Sequence, residues 1–209
     1  MKLVVFGSTG SVGQHLVAQA LEQGHAVTAF TRSPEKVGQA HENLRIVEGD
    51  VRDPAAVKRA IEGQDAVFCS LGMPLMNKEK LRAAGTKNIV RAMEETGVTR
   101  LVCLSALGTG DSREVLPLHY KVFIVPLFMR HLYEDHELQE THVKTSGLDW
   151  SIVRPGNFTK GERTGSYRHG FTAADKATKL KVSCADVADF MMRQLFDDSY
   201  LRRSPGLSY

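Results

Sequence analysis

The chain has 209 residues, 42% of them hydrophobic and 24% charged, and a formal net charge of +3. That length suits one α/β domain with a core that needs no metal or disulfide to hold it. The Lys and Arg residues are scattered with no basic tract, which excludes a nucleic-acid face, and no apolar run approaches the roughly 18 residues of a membrane span.

An apolar stretch ending at Phe6 runs into Gly7-Ser8-Thr9-Gly10-Ser11-Val12-Gly13 and then into an amphipathic helical pattern. In that strand-to-helix setting the glycines predict a dinucleotide site. Gly7 permits the tight turn, Gly10 lets backbone N–H groups approach a pyrophosphate, and Gly13 lets the helix pack closely on its strand. The phosphate would sit on the positive end of the helix dipole. The second apolar run, 26–31, ends in Thr31-Arg32-Ser33, with Lys36 one helical turn later. An NAD-preferring site carries an acid about 20 residues beyond the glycines to bind the ribose hydroxyls. Here that place holds a guanidinium, hydroxyls and an ammonium, which suit a 2′-phosphate, so NADPH is favoured over NADH. The alternative is that Arg32 and Lys36 are only solvated loop charges.

Strand-like runs recur at 44–49, 66–71, 100–105 and 149–154, alternating with helical stretches. This βαβ rhythm predicts a single Rossmann-type α/β domain over 1–209, a doubly wound parallel sheet flanked by helices. Asp53-Pro54 reads as cap and first residue of a helix ending at Gly63, and Gly24, Gly97 and Gly147 stand where helix C-caps are expected. No repeat or linker divides the chain. Cys69, Cys103 and Cys184 are far apart and odd in number, so they read as reduced thiols, not as a disulfide framework or metal site. The first residues already form a core strand, leaving no room for a signal peptide, and a cytoplasmic location is expected. The rhythm breaks at 108–133, an apolar excursion that leaves the strand carrying Ser105. Ligands in open α/β sheets bind beyond the carboxyl ends of the strands, so this excursion reads as a wall or lid for a flat substrate, or else as a subunit interface or buried helix. Residues 157–209 would complete the substrate side.

The pattern resembles the atypical short-chain dehydrogenases with one NAD(P)-binding domain, the group that includes NmrA-like proteins and the biliverdin reductase B/flavin reductase branch. The resemblance rests on the opening Gly-x-x-Gly-x-x-Gly, Arg32, Gly49-Asp50-Val51, Gly63-Gln64-Asp65-Ala66-Val67, Gly85-Thr86-Lys87-Asn88-Ile89-Val90, Arg154-Pro155-Gly156 and Ser183-x-x-Asp186-Val187-Ala188. Thr164-Gly165-Ser166-Tyr167 and Phe190-Met191-Met192-Arg193-Gln194-Leu195 look like the C-terminal third of the flavin and biliverdin reductase branch. The resemblance implies that Gly7, Thr9, Gly10, Ser11, Val12 and Gly13 hold the pyrophosphate and that Arg32 with Lys36 holds the 2′-phosphate. Asp50 and Val51 would flank the adenine, and Leu71, Gly72 and Met73 would line the passage to the nicotinamide. Ser105, Ala106 and Leu107 would approach the nicotinamide, and Pro155, Gly156, Asn157 and Phe158 would complete its pocket.

A short-chain dehydrogenase acting on alcohols needs Tyr-x-x-x-Lys, in which the lysine lowers the tyrosine pKa for proton exchange with the substrate oxygen. The fourth residues after Tyr120, Tyr133, Tyr167 and Tyr200 are Ile124, Glu137, Phe171 and Ser204, and nothing follows Tyr209. In the helix where that lysine would be sought stand His136 and Glu140, one turn apart and on one face. Hydride transfer to a flat conjugated ring tolerates this loss, because the protein need only stack two rings and the proton can come from water. Ser105 and His136 are thus the candidate catalytic residues, His136 as a possible acid for a linear tetrapyrrole. The function expected is an NADPH-dependent reductase of a small molecule such as FMN, riboflavin or biliverdin, with flavin as substrate and not as prosthetic group. The alternative is an NmrA-like NADP(H)-binding redox sensor without turnover. A monomer or homodimer is expected, with neither nucleic acid nor membrane as partner.

Overall fold

A computed structural model of the chain describes residues 1–73, 79–172, 175 and 178–209. In chain order its strands are β1 (Lys2–Phe6), β2 (Ala26–Thr31), β3 (Leu44–Glu48), β4 (Ala66–Cys69), β5 (Arg100–Leu104), β6 (Asp149–Pro155), β7 (Asn157–Thr159), β8 (Arg168–His169), β9 (Lys181–Ser183) and β10 (Gly206–Ser208). The α-helices are α1 (Gly13–Glu22), α2 (Pro54–Ile61), α3 (Leu81–Thr96), α4 (Arg130–Lys144) and α5 (Cys184–Arg193).

The apolar runs of β1 and β4 become central strands because a parallel strand covered on both faces must be apolar at every position. Leu3, Val4, Val5 and Phe6 are all fully buried, as are Ala66, Val67, Phe68 and Cys69. Their side chains alternate between two layers. Val4 and Phe6 pack with Val57, Ile61, Ile89 and Met93 of α2 and α3, while Leu3 and Val5 pack with Leu16, Val17, Val187 and Met191 of α1 and α5. The sheet order β3-β2-β1-β4-β5-β6 reverses direction between β1 and β4. Beyond the carboxyl ends of those two strands lies the crevice where ligands bind in such sheets.

This is the doubly wound α/β fold expected from the sequence, with additions at one edge. β10 joins β6 in parallel, β8 pairs antiparallel with β10, and β7 with β9 forms a separate two-stranded ribbon. These strands are two or three residues long, too short to show a period of two. Asp53 caps α2 by accepting from the Ala55 N–H at 2.9 Å. Gly24, Gly63 and Gly97 take φ of +76°, +73° and +76°, as helix ends require. Gly147 does not: α4 closes through Thr145, and the Ser146 hydroxyl bonds the Val143 carbonyl at 2.6 Å.

Cys69 and Cys103, distant in sequence, are direct neighbours across β4 and β5. Distance along the chain does not measure distance across a parallel sheet, and both are buried free thiols. The excursion contains a short 3₁₀ turn, Gly110–Val115, and a wide π-type helix, Tyr120–Met129, that runs directly into α4. It is not an ordinary buried helix. Leu116, Val125 and Tyr133 form a small cluster of their own, while Leu118, Val122, Phe123, Leu127 and Phe128 are each more than half exposed. Among the described residues no helix is long and apolar enough to cross a membrane. Residues 173, 174, 176 and 177 of the segment 157–209, read as the substrate side, lie outside the described residues.

Candidate active site

The glycine turn is built by close backbone approach. A Cβ on Gly7, at φ +81°, would lie 2.4 Å from the Ser70 carbonyl oxygen, and one on Gly13 would lie 2.0 Å from the Gly7 oxygen. Gly10 has more room, its Cβ meeting the Gly7 oxygen at 3.2 Å. The turn closes through the Gly10 N–H to the Gly7 carbonyl at 3.0 Å and is tied to β2 by the Ser8 hydroxyl on the Phe30 carbonyl at 3.1 Å. The result is bare backbone at the sheet edge, facing the start of α1, where the first N–H groups have no partner within the helix. That surface fits a pyrophosphate. Gly13 serves the packing of α1 on the loop and lines neither cavity described below.

Two cavities run from this turn and share Gly10, Leu71, Gly72 and Met73. The smaller, about 400 Å³, is lined by Gly7, Thr9, Thr31, Arg32, Ser33, Lys36 and Val51 among others, with no carboxylate among the described residues. The Thr31 hydroxyl accepts from the Ser33 N–H at 3.0 Å, fixing the turn that carries Arg32. Asp50 departs from its expected place beside an adenine. It folds onto Arg52 through contacts of 2.8 and 3.2 Å, lines neither cavity, and is held below the ordinary carboxylate range by the Arg52 hydrogen bonds. Its neighbour Val51, buried, lines the cavity instead.

The larger cavity, about 630 Å³, brings together Ser11 and Val12 of the turn, Ser105, Ala106 and Leu107 after β5, and Pro155, Gly156, Asn157 and Phe158 after β6. The excursion supplies its roof through Leu116, Tyr120, Met129, Leu132 and Tyr133, so the inner face of the wide helix is a cavity wall. Tyr133 is no acid or base for this site. Its hydroxyl donates to the Leu107 carbonyl at 2.9 Å, and burial pushes its pKa up.

Under Ser105 lies a buried ionic network that the sequence reading missed. The Ser105 hydroxyl donates to Glu140 Oε1 at 2.7 Å, and Arg154 closes a fork on the same carboxylate through Nε at 2.8 Å and Nη2 at 2.6 Å. Lys144 adds a contact of 2.8 Å, and Arg154 Nη1 reaches Asp111 at 2.6 Å. Burial would raise the Glu140 pKa, but the Arg154 fork, Lys144 and Ser105 hold it below the ordinary value. An ionised carboxylate only accepts, so Ser105 must donate to it and can offer a bound molecule only oxygen lone pairs. The signal for this network was present in Glu140 at helical spacing and Arg154 in an otherwise apolar strand.

His136 lines the larger cavity but is buried, and burial together with the nearby Arg82 charge lowers its pKa to about 4. Gln139 Nε2 donates to Thr86 Oγ1 at 3.1 Å and Cys103 Sγ at 3.4 Å, so the Gln139 oxygen, 3.0 Å from His136 Nδ1, must accept from it. The ring then carries its proton on Nδ1 and presents a lone pair at Nε2. This corrects the sequence reading: at neutral pH His136 is an uncharged acceptor and not a proton donor. Arg82, also unforeseen in the cavity wall, is buried and bonded to Asp135 at 3.2 Å.

A family model described as NAD(P)H-binding matches residues 7–198. An uncharacterised chloroplast protein of Arabidopsis thaliana is 30% identical over 174 residues, covering 79% of this chain and 62% of that protein. The chain spans about three fifths of the length of such curated relatives. Among solved structures, the oxidoreductase ylbE of Lactococcus lactis superposes with a TM-score of 0.84 at 22% identity, covering 100% of this chain and 90% of that one. ChuY, an anaerobillin reductase of Escherichia coli O157:H7, superposes at 0.78 with 21% identity, covering 100% and 97%. At these identities the likeness is one of fold.

Proposed function

The chain belongs to the NAD(P)H-binding family, and from that premise we propose that it is an NADPH-dependent reductase that delivers hydride to a flat conjugated acceptor, a flavin such as FMN or riboflavin or a linear tetrapyrrole such as biliverdin. One observation carries this reading. A single cleft has a cationic, carboxylate-free end at Thr31, Arg32, Ser33 and Lys36 and a wide apolar end at Ser105, with the glycine turn between them. The first end fits a 2′-phosphate, the turn a pyrophosphate, and the second has room for two stacked rings.

The nicotinamide, when bound, supplies the hydride. The protein's own part is orientation. Ser105, fixed by Glu140, offers an acceptor for an N–H donor of a bound ring. Leu71, Leu107 and Met129 exclude water from its faces, and Tyr120 closes the roof. Neither His136 nor Tyr133 serves as a proton donor here: His136 is uncharged at neutral pH and Tyr133 is bonded to backbone. A proton taken from water suits conjugated rings and disfavours alcohol chemistry. That a reductase of anaerobillin shares this fold agrees with the reading.

The test is the loss of reduced-nicotinamide absorbance with FMN, riboflavin, biliverdin and a quinone offered in parallel, NADH serving as the control donor. Turnover with NADPH and a flavin or tetrapyrrole is the expected result. NADPH binding without turnover of any acceptor would replace this reading by that of a redox sensor.

A further inference from the structure

The larger cavity is charged in an uneven way. Among the described residues its lining contains two cationic ones, Arg82 and Lys179, and no Asp or Glu. Arg82 is neutralised where it stands, its guanidinium 3.2 Å from the fully buried carboxylate of Asp135. Lys179 has no carboxylate within ion-pair distance among the described residues, and it faces solvent at the cavity margin. Among the described residues, Lys179 thus stands as an uncompensated positive charge at the margin of a cavity whose other side chains, Arg82 aside, are uncharged.

Its position is built, not incidental. The Lys179 N–H donates to the Tyr209 carbonyl at 2.6 Å, and the Leu180 carbonyl accepts from the Asn157 N–H at 2.8 Å. Between them Leu180 takes φ +52°, a left-handed conformation costly for a branched residue. Gly156 packs so closely there that a Cβ would lie 2.5 Å from the Leu180 carbonyl carbon. A strained turn, clamped from both sides and lining the cavity itself, fixes where the lysine stands relative to Asn157 and Phe158.

We propose that Lys179 is the specificity-determining residue of this site, selecting acceptors whose flat ring carries an anionic arm, a phosphate or a carboxylate, that reaches the cavity mouth. The inference rests on the reductase reading for its ring, but its test is a binding measurement that does not need turnover. With NADP⁺ present, the dissociation constants of FMN and riboflavin are measured by quenching of flavin fluorescence. Those of biliverdin and its dimethyl ester are measured by absorbance, so that the two pairs separate a phosphate arm from a carboxylate arm. In the native protein the charged member of at least one pair binds more tightly, by about fivefold to tenfold for a charge-assisted contact at a partly exposed site. Raised salt shrinks that advantage. Lys179→Gln abolishes the advantage while leaving the neutral member within about twofold, Lys179→Glu inverts it, and Lys179→Arg keeps it.

Equal affinity for charged and neutral members of both pairs overturns the proposal. So does an advantage that survives Lys179→Glu, or a loss in Lys179→Gln shared equally by the neutral ligand. Charge-dependent binding without NADPH consumption would leave this inference standing and overturn the reductase reading; turnover of FMN and biliverdin with a KM for each unchanged in Lys179→Glu would do the reverse.

Discussion

Replacing His136 by Phe changes how stability depends on pH. In the folded protein the imidazole titrates at about 4, in the unfolded chain at about 6.5. Between those values the unfolded state binds the extra proton, so stability rises with pH across this range. It is fully present above pH about 6.5, falls as the pH drops, and levels off below about 4. The gap is worth about 3 kcal/mol in all, of which about 2 kcal/mol is already lost by pH 5. Phe fills a similar volume and cannot titrate. It leaves the Gln139 oxygen without its donor, a cost of about 1–3 kcal/mol that is the same at every pH. Urea denaturation of both proteins at intervals from pH 7.5 to 4.5 separates the two effects, because carboxylates common to both cancel in the difference. The native protein should lose about 2 kcal/mol more than His136→Phe between pH 7.5 and 5. Parallel curves would show that the ring is solvated or already charged, and would return His136 to the role of proton donor.

Arg32→Glu should abolish most of the preference for NADPH, since a carboxylate there repels the 2′-phosphate and can accept from ribose hydroxyls; unchanged selectivity in steady-state kinetics would remove Arg32 from the cofactor site. Glu140→Ala strands the buried Arg154 guanidinium and the Ser105 hydroxyl, and should cost about 3–5 kcal/mol in denaturant unfolding. A loss below about 1 kcal/mol would mean the network is wet. In the native protein Glu140 contributes stability that is complete above the ordinary carboxylate range and disappears as pH falls through its lower folded value. Gly13→Ala forces a methyl to within 2.0 Å of the Gly7 carbonyl, so α1 must shift; about 1–3 kcal/mol of stability and most NADPH binding should go together. Full binding in a stable Gly13→Ala protein would refute the account of the turn.

The sheet could be read from the chain because its information is local. Leu3 to Phe6 and Ala66 to Cys69 are short apolar runs bounded by turn residues, which suits a buried strand, and Gly7, Gly24, Gly63 and Gly97 mark backbone turns that other residues strain to make. What could not be read depends on neighbours brought together by topology. Cys69 beside Cys103, and Ser105 beside Glu140 and Arg154, meet only once β4, β5 and β6 lie side by side under α4. His136 shows the same limit. Its spacing from Glu140 was legible, but its burial, and with it the loss of its charge, depends on α3 packing across α4. The excursion defeated periodicity because its wide turns place residues off the 3.6 repeat, so that Tyr120 and Met129 reach the cavity while Phe123 and Phe128 do not.

The clamp on Leu180 joins parts of the chain that are far apart in sequence. The glycine turn, Arg32 and Val51 are all within the first 51 residues, so the phosphate end of the cleft is encoded early. The opposite wall has to wait. Lys179 and Leu180 are held by the pairing of β10 with β6 and by the Tyr209 carbonyl that accepts the Lys179 N–H, contacts that join residues 154 and 155 to residues 206–209. A nascent chain would thus have its cofactor-binding half encoded well before it could enclose an acceptor. The ring-stacking end of the site therefore depends on the contacts that residues 206–209 make with β6 and with Lys179.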